Sequence, residues 1–225
     1  MGRLIGGSCG RIFDTAASAN EVGALDLSDL RRRGILFIVS APSGAGKTTI
    51  SGRALRGIAG LEMSISCTTR APRAGEVDGR DYTFLDRAEF EGRRARGAFA
   101  ESAEVHGFLY GTPRAPIESA LAEGRDMLLD IDVQGARQMK ARYADEAVAV
   151  FVLPPSEVEL ERRLRARGTD PDEVIRRRLE RARAEMEEYR SYDYYLVNHD
   201  VDETVGSLAS IVAAERVRVS RLRGS

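Results

Sequence analysis

Residues 35–48 constrain this chain more than any other stretch. An unbroken apolar run, Ile35-Leu36-Phe37-Ile38-Val39, leads through Ser40 into Ala41-Pro42-Ser43-Gly44-Ala45-Gly46-Lys47-Thr48. A strand that is apolar on both faces must be covered on both faces, which places it inside a parallel sheet flanked by helices. The glycine-bearing turn stops the strand, and Lys47 to about Arg56 reads as a helix. This strand, turn and helix are the context in which a loop wraps phosphate. Gly44 and Gly46 let backbone N–H groups approach the anion, and the helix N-terminus adds partial positive charge. In such a loop Lys47 reaches the β- and γ-phosphates, and the Thr48 hydroxyl is offered to Mg²⁺. The generic pattern opens on glycine, and Ala41 departs from it.

The rest of the chain extends the pattern. Further strands are expected at 61–66, 126–131, 147–153 and 194–197, and helices at 134–143, 157–165 and 203–216. Asp170-Pro171 followed by Glu173 reads as a helix start with cap, proline in the first turn and capping-box acid. That helix places Ile175, Leu179, Ala182, Met186 and Tyr189 on one face. Alternating strands and helices argue a parallel α/β sheet. Residues 67–125 differ, being polar, broken by Gly75, Gly79, Gly107 and Gly111, and dotted with short β-like pieces such as 81–85. They read as a mixed α/β insertion. Residues 1–33 read as a flexible extension, with a short helical turn near Leu25–Leu30. A partner acid for the phosphate loop is expected at the end of a neighbouring strand, and Leu128-Leu129-Asp130-Ile131-Asp132 supplies two. One can serve Mg²⁺ through water while the other serves a substrate, and the spacing leaves the order open.

Lys+Arg is 34 and Asp+Glu is 35, a formal net charge of −1. That balance excludes a generally basic nucleic-acid coat and an acidic tail protein. Lysine occupies only positions 47 and 140, so arginine supplies the other 32 basic residues. Base composition of the genome accounts for most of them, and a planar fork that grips phosphates accounts for a few. Two cysteines, Cys9 and Cys67, are too few for a disulfide framework and point to a reducing compartment. No apolar run approaches the roughly 20 residues of a membrane span. The first 13 residues carry Arg3 and Arg11 and no acid, but Asp14, Glu21, Asp26 and Asp29 follow, unlike a transit peptide. The expectation is a soluble cytoplasmic protein without nucleic-acid or membrane partners; oligomeric state is not legible.

Four motifs occur together in order. Ser40 to Lys47 is followed by Thr68-Thr69-Arg70-Ala71-Pro72-Arg73-Ala74-Gly75-Glu76, then Tyr110-Gly111-Thr112, then Asp130-Ile131-Asp132-Val133-Gln134-Gly135. Across residues 35–218 the chain resembles guanylate kinase. The resemblance implies a P-loop NTPase three-layer core with a parallel sheet, an inserted GMP-binding α/β domain and a mobile lid. The core would span 34–66 and 126–218, the lid about 163–178, the insertion 67–125 and a tail 219–225. It implies ATP + GMP → ADP + GDP with Mg²⁺ as cofactor, dGMP as a further acceptor, and a place in purine metabolism.

What the resemblance implies for single residues also makes chemical sense. Arg70 and Arg73 can fork onto phosphate oxygens while Tyr82 and Tyr110 donate phenolic hydrogen bonds. By resemblance these four hold the GMP phosphate, and Glu76 orients an arginine. Guanine donates from N1 and N2 and accepts at O6, so its pocket needs a carboxylate. Glu101 and Asp130 resemble the family's carboxylates at the base, and Ser66 and Thr112 its hydroxyl contacts. Residues 41–48 would wrap ATP, Asn198 would lie near adenine, and Thr48 and Asp132 would serve Mg²⁺. Lys47, with Arg163, Arg167 and Arg178 from the lid and flanking helices, would stabilise the transferring group. His106 and His199 take no role, and a structural zinc site has no support in the sequence. The alternative is a catalytically inactive guanylate-kinase-like interaction module, expected to show a damaged phosphate loop or lid. A P-loop kinase for another small acceptor is a third reading.

Overall fold

The computed structural model describes residues 31–222 except His106, Arg167, Thr169 and Asp170. Expectations for residues 1–30 and 223–225, for Cys9 and His106, for the Asp170 cap and for Arg167 lie outside the described residues.

Along the chain run β1 (Leu36–Ser40), α1 (Lys47–Gly57), β2 (Leu61–Met63), β3 (Cys67–Thr68), β4 (Thr83–Phe84), α2 (Arg87–Ala95), β5 (Phe99–Val105), β6 (Phe108–Pro113) and α3 (Arg114–Glu123). Then follow β7 (Asp126–Asp130), α4 (Val133–Arg142), β8 (Ala147–Leu153), α5 (Glu157–Ala166), α6 (Asp172–Glu187), β9 (Tyr194–Val197) and α7 (Val201–Arg216). Short 3₁₀ turns cover Glu188–Ser191 and Val219–Arg221.

Five strands form one sheet in the order β2-β7-β1-β8-β9. Every pair in it is parallel. β1 lies at its centre, as its apolar run requires. Ile35, Phe37 and Val39 face the layer of α1 and α7, packing with Ile50, Ala54, Leu208 and Val212. Leu36 and Ile38 face the other way, against Ile117, Ala120, Ala136 and Met139 of α3 and α4. Residues 35–39 are all fully buried. At roughly 1.5–3 kcal/mol for each large side chain, that burial outweighs local propensity in fixing the strand.

The chain leaves this sheet early. The strand expected over 61–66 ends at Met63, and the chain pairs again four residues later as β3 in a second sheet, β4-β3-β6-β5. Its small core is Cys67, Phe90, Phe99 and Leu109. Here β3 and β5 are both antiparallel to β6.

α5 and α6 form a hairpin with its own core, Leu160 and Leu164 against Ile175, Leu179 and Ala182. Met186 and Tyr189 lie outside that cluster and Tyr189 sits in the 3₁₀ turn, where the 3.6-residue period no longer applies. α6 starts at Asp172 with Pro171 as the capping residue, one position later than the sequence suggests. Residues 32–33 and 219–222 belong to the folded body and not to an extension or tail. Arg32 forks onto the fully buried Asp126 at 2.6 and 2.8 Å, Arg216 adds a third contact at 2.7 Å, and Arg221 pairs with buried Glu215 at 2.8 Å. No helix of the described residues is long and apolar enough to cross a membrane.

Candidate active site

The turn after β1 opens at the carboxyl end of the sheet, with β7 and β8 on either side of β1. In open α/β sheets this is where ligands bind, because the connections on the two sides lead away from each other. Gly44 and Gly46 have φ of 97° and 100°. A Cβ on Gly44 would lie 3.0 Å from Leu160 and Leu164 carbons, and one on Gly46 would lie 2.6 Å from Asn198 Nδ2. Both positions therefore require glycine, for conformation and for space. Gly46 caps α1 with no side-chain hydrogen bond, and the first turn carries no acid. The Thr49 N–H turns back to the Gly46 carbonyl at 3.1 Å, and the Lys47 and Thr48 N–H groups ahead of it face an incoming anion, with the helix dipole behind them. Lys47 stands at the head of that helix. Its Nζ lies 2.5 Å from Asp130 Oδ1 and donates to the Ile131 carbonyl at 3.0 Å. Thr48 is exposed beside it.

A polar scaffold holds this loop from behind. Asn198, 2% exposed, donates from Nδ2 to the Ala45 carbonyl at 2.7 Å and accepts from the Thr204 hydroxyl at 3.2 Å. Arg163 donates to the Asn198 carbonyl at 3.0 Å and the Ala45 carbonyl at 3.4 Å, with Nε on Glu159 at 2.7 Å. The side chains expected near adenine and at the transferring phosphate thus grip the loop's own carbonyls in this state.

The opposite wall comes from the second sheet. Glu101 on β5 and Thr112 on β6 are register partners, next to an irregularity that separates Phe99 from Glu101. The Thr112 hydroxyl donates to Glu101 Oε1 at 2.5 Å, and Ser66 Oγ lies 3.5 Å from Thr112 Oγ1. Glu101 is 5% exposed. Burial pushes its carboxyl up to about 7, and the charge of Asp132 adds to the rise against the Thr112 hydrogen bond and Lys47. Tyr82 and Tyr110 meet edge to face at 6.0 Å. Arg70 lies 5.5 Å from the Tyr82 ring centroid and binds both Glu76 oxygens through one nitrogen, at 2.9 and 3.0 Å. Those bonds hold Glu76 below the usual carboxylate range and raise the Arg70 guanidinium. Arg70 Nε is buried and lacks a hydrogen-bond partner. Glu76 also accepts the Arg73 backbone N–H at 2.7 Å.

A cleft of about 340 Å³ separates the two walls. From the loop it is lined by Ala41, Pro42, Ser43, Gly44, Gly46, Lys47 and Thr48; facing them are Ser66, Arg73, Tyr82, Glu101 and Tyr110. Asp130, Asp132 and Arg178 complete the set of sequence-selected residues at its surface. Ala45, Arg70, Glu76, Thr112, Arg163 and Asn198 do not line it and stand behind those that do. Asp132 is also a helix cap, accepting from Gly135 N at 2.9 Å. Sequence reasoning missed Ala103 and Val105, and Arg181 and Glu185. The signals were present. Residues 101, 103 and 105 share one face of a strand, and 178, 181 and 185 one face of a helix.

The guanylate kinase family model matches residues 33–215. A guanylate kinase of Sphingopyxis alaskensis (strain DSM 13593 / LMG 18877 / RB2256) is 52% identical over 199 residues, 88% of this chain and 90% of that protein. One from Rhodopseudomonas palustris (strain BisB18) is 50% identical over 198 residues, 88% and 90% of the two chains. The crystal structure of guanylate kinase from Anaplasma phagocytophilum matches with a TM-score of 0.75 at 36% identity, covering 87% of this chain and 93% of that one. The family match opens just ahead of β1 and reaches the last turn of α7, enclosing both walls of the cleft and the α5–α6 hairpin. The chain belongs to the guanylate kinase family.

Proposed function

We propose that this chain transfers the γ-phosphoryl group of ATP to GMP, giving ADP and GDP, with dGMP as a further acceptor. The observation that carries the reading is the pairing of two unlike walls across one cleft. One wall is an uncapped helix N-terminus with Lys47; the other is a buried carboxylate, Glu101, that accepts from the Thr112 hydroxyl, with the Ser66 hydroxyl next in the row. The first suits a polyphosphate and the second suits the N1 and N2 donors of guanine. Bound adenine would leave those buried groups unpaired, which can cost orders of magnitude in discrimination.

Residues 67–125 are read as the GMP-binding insertion and about 163–178 as the lid. Arg73, Tyr82 and Tyr110 meet the GMP phosphate directly. Arg70, held by Glu76, presents its charge beside Tyr82. The acceptor phosphate is already anionic, so the reaction needs no protein base. Positioning and electrostatic stabilisation carry it, through the loop N–H groups, Lys47, Arg178 and, on closure of the lid, Arg163 and Arg167. Closure also excludes water and limits wasteful hydrolysis.

The residues present fit Mg²⁺. The Thr48 hydroxyl and Asp132 carboxylate are hard oxygen donors at the cleft. Among the described residues no three His, Cys, Asp or Glu side chains converge to hold a metal alone, so Thr48 and Asp132 would hold the ion together with the bound nucleotide. When bound, the ion offsets charge on the β- and γ-phosphates. The intact loop, Lys47 and Thr48 speak against a non-catalytic interaction module.

Incubating the protein with Mg-ATP and a panel of nucleoside monophosphates tests the reading. ADP release stimulated by GMP and dGMP is expected. Stimulation by AMP or UMP but not GMP would overturn it, and tight GMP binding without turnover would favour the module.

A further inference from the structure

α4 belongs to the parallel-sheet core, yet one of its faces lies along β5 of the second sheet. Gly135, Gln138 and Arg142, at i, i+3 and i+7, share that face. Gln138 bonds the backbone of Ser102 twice: Oε1 accepts from Ser102 N at 3.2 Å and Nε2 donates to Ser102 O at 2.9 Å. Its amide thus imitates a neighbouring strand, next to Glu101 in sequence. Arg142 reaches the Phe99 carbonyl at 3.4 Å, two residues on the other side. Glu101 lies between those two points on β5, and Gly135, ahead of both ties on α4, meets it. A Cβ at 135 would lie 2.7 Å from Glu101 Oε2, 3.1 Å from its Cδ and 3.3 Å from Ile131 Cδ1.

Gly135 has ordinary helical backbone, so its lack of a side chain is needed for space and not for conformation. The atom in the way is the end of a side chain. A methyl group there is accommodated by turning the Glu101 carboxylate, at little cost to the fold. That movement would break the geometry in which Oε1 accepts from Thr112 at 2.5 Å while Oε2 occupies the space a Cβ at 135 would need.

We propose that Gly135 and Gln138 of α4 are positioning residues for base recognition: Gly135 leaves the room that sets the Glu101 carboxylate, and Gln138 holds the strand that carries it. The inference rests on the reading of Glu101 as the guanine carboxylate. It makes selectivity a joint property of the inserted sheet and the core helix. Neither residue touches substrate.

The test is steady-state kinetics with GMP and with IMP, which lacks the 2-amino donor, on Gly135→Ala, Gln138→Ala and Glu101→Gln, with melting temperatures measured alongside. In Gly135→Ala the KM for GMP should rise at least about tenfold and the GMP-over-IMP preference should narrow, because a misdirected carboxylate leaves a donor unpaired. The KM for ATP should stay within about twofold, since the donor wall is untouched. Gln138→Ala should move the same parameters in the same direction by about threefold or more, and carries the test alone if Gly135→Ala unfolds. In a Glu101→Asp background, where the shorter side chain withdraws from position 135, the Gly135→Ala penalty should shrink, since contacting residues do not act additively. Unchanged GMP parameters in both α4 variants while Glu101→Gln erodes the preference would overturn the proposal and leave the Glu101 reading standing. An unchanged preference in Glu101→Gln would overturn the reading of that carboxylate, and this inference with it.

Discussion

Lys47 Nζ lies 2.5 Å from Asp130 Oδ1, with the two side chains 22% and 14% exposed. The lysine proposed to serve the donor phosphates is therefore paired with a carboxylate proposed to serve the acceptor base. Lys47→Met should lower kcat at least about 10²-fold, because charge developing on the phosphoryl group loses its stabiliser. It also strands Asp130 without its partner. Removing one member of a half-buried pair costs more than removing both. Lys47→Met/Asp130→Asn should therefore melt above Lys47→Met alone while remaining inactive, which thermal denaturation of the two variants checks.

Glu101 carries a pH dependence of definite sign. Burial pushes its carboxyl up to about 7 from 4.5. The native chain therefore holds that proton more tightly than the unfolded chain. The resulting stability is complete below the unfolded value and is lost as pH rises through about 7, to the extent of about 3 kcal/mol. Binding runs the other way, because only the carboxylate accepts from guanine N1 and N2. The KM for GMP should fall between about pH 6 and pH 8, as the carboxyl of the folded protein ionises, whereas the free protein loses stability from about pH 4.5 up to about pH 7. Glu101→Gln should flatten both slopes, melting higher than the parent at pH 8 while losing preference for GMP. Melting curves and KM values across that range check the pair of effects together.

What could be read in the sequence was what depends on near neighbours. The apolar run at 35–39, the turn chemistry at 41–48 and the periodicity of 175, 179 and 182 are local, and the structure has all three. Asn198 and Ala45 are 153 positions apart and Glu101 and Gly135 are joined only by the packing of α4 on β5. No spacing rule reports such contacts. The end of the second strand at Met63 was illegible for the same reason. Nothing in Ser64-Ile65-Ser66 forbids a longer strand, and it is the second sheet, whose β4 and β6 pair with β3 across 16 and 42–44 residues, that draws the chain away. Asp132 was legible as an acid at a strand end, but not as the cap of α4.

Arg70 and Glu76 form the best-buried ion pair of the acceptor wall, 10% and 19% exposed. Arg70→Ala should weaken GMP much more than ATP, since it removes a cation beside the two tyrosines and nothing from the phosphate loop. Glu76→Gln keeps size and shape but leaves one oxygen for Arg70 and for the Arg73 N–H that shares it. The KM for GMP should rise several-fold, at about the scale of one charge-assisted hydrogen bond, with kcat changed less. Comparing KM for GMP and for ATP in both variants decides. Equal loss for the two nucleotides would remove Arg70 from the acceptor site.

Asn198 separates two roles that the same substitution can tell apart. Its amide donates to the Ala45 carbonyl at 2.7 Å, its carbonyl accepts from Thr204, and its Nδ2 fills the space beside Gly46. Asn198→Ala leaves Ala45 O with the long Arg163 contact at 3.4 Å, whereas Thr204 keeps its bond to the Asp200 carbonyl at 2.6 Å. The expected loss of stability is about 1–3 kcal/mol, the cost of a buried group left unpaired. A loosened loop presents its N–H groups less well to any triphosphate. If Asn198 acts by holding the loop, the KM for ATP and for GTP as donors should rise by the same factor. If it reads adenine, the ATP value alone should rise and the donor preference should narrow. Asn198→Asp sharpens the contrast: a carboxylate facing the Ala45 carbonyl repels it, so loop holding predicts a larger loss than alanine for both donors, measured as kcat/KM with GMP saturating.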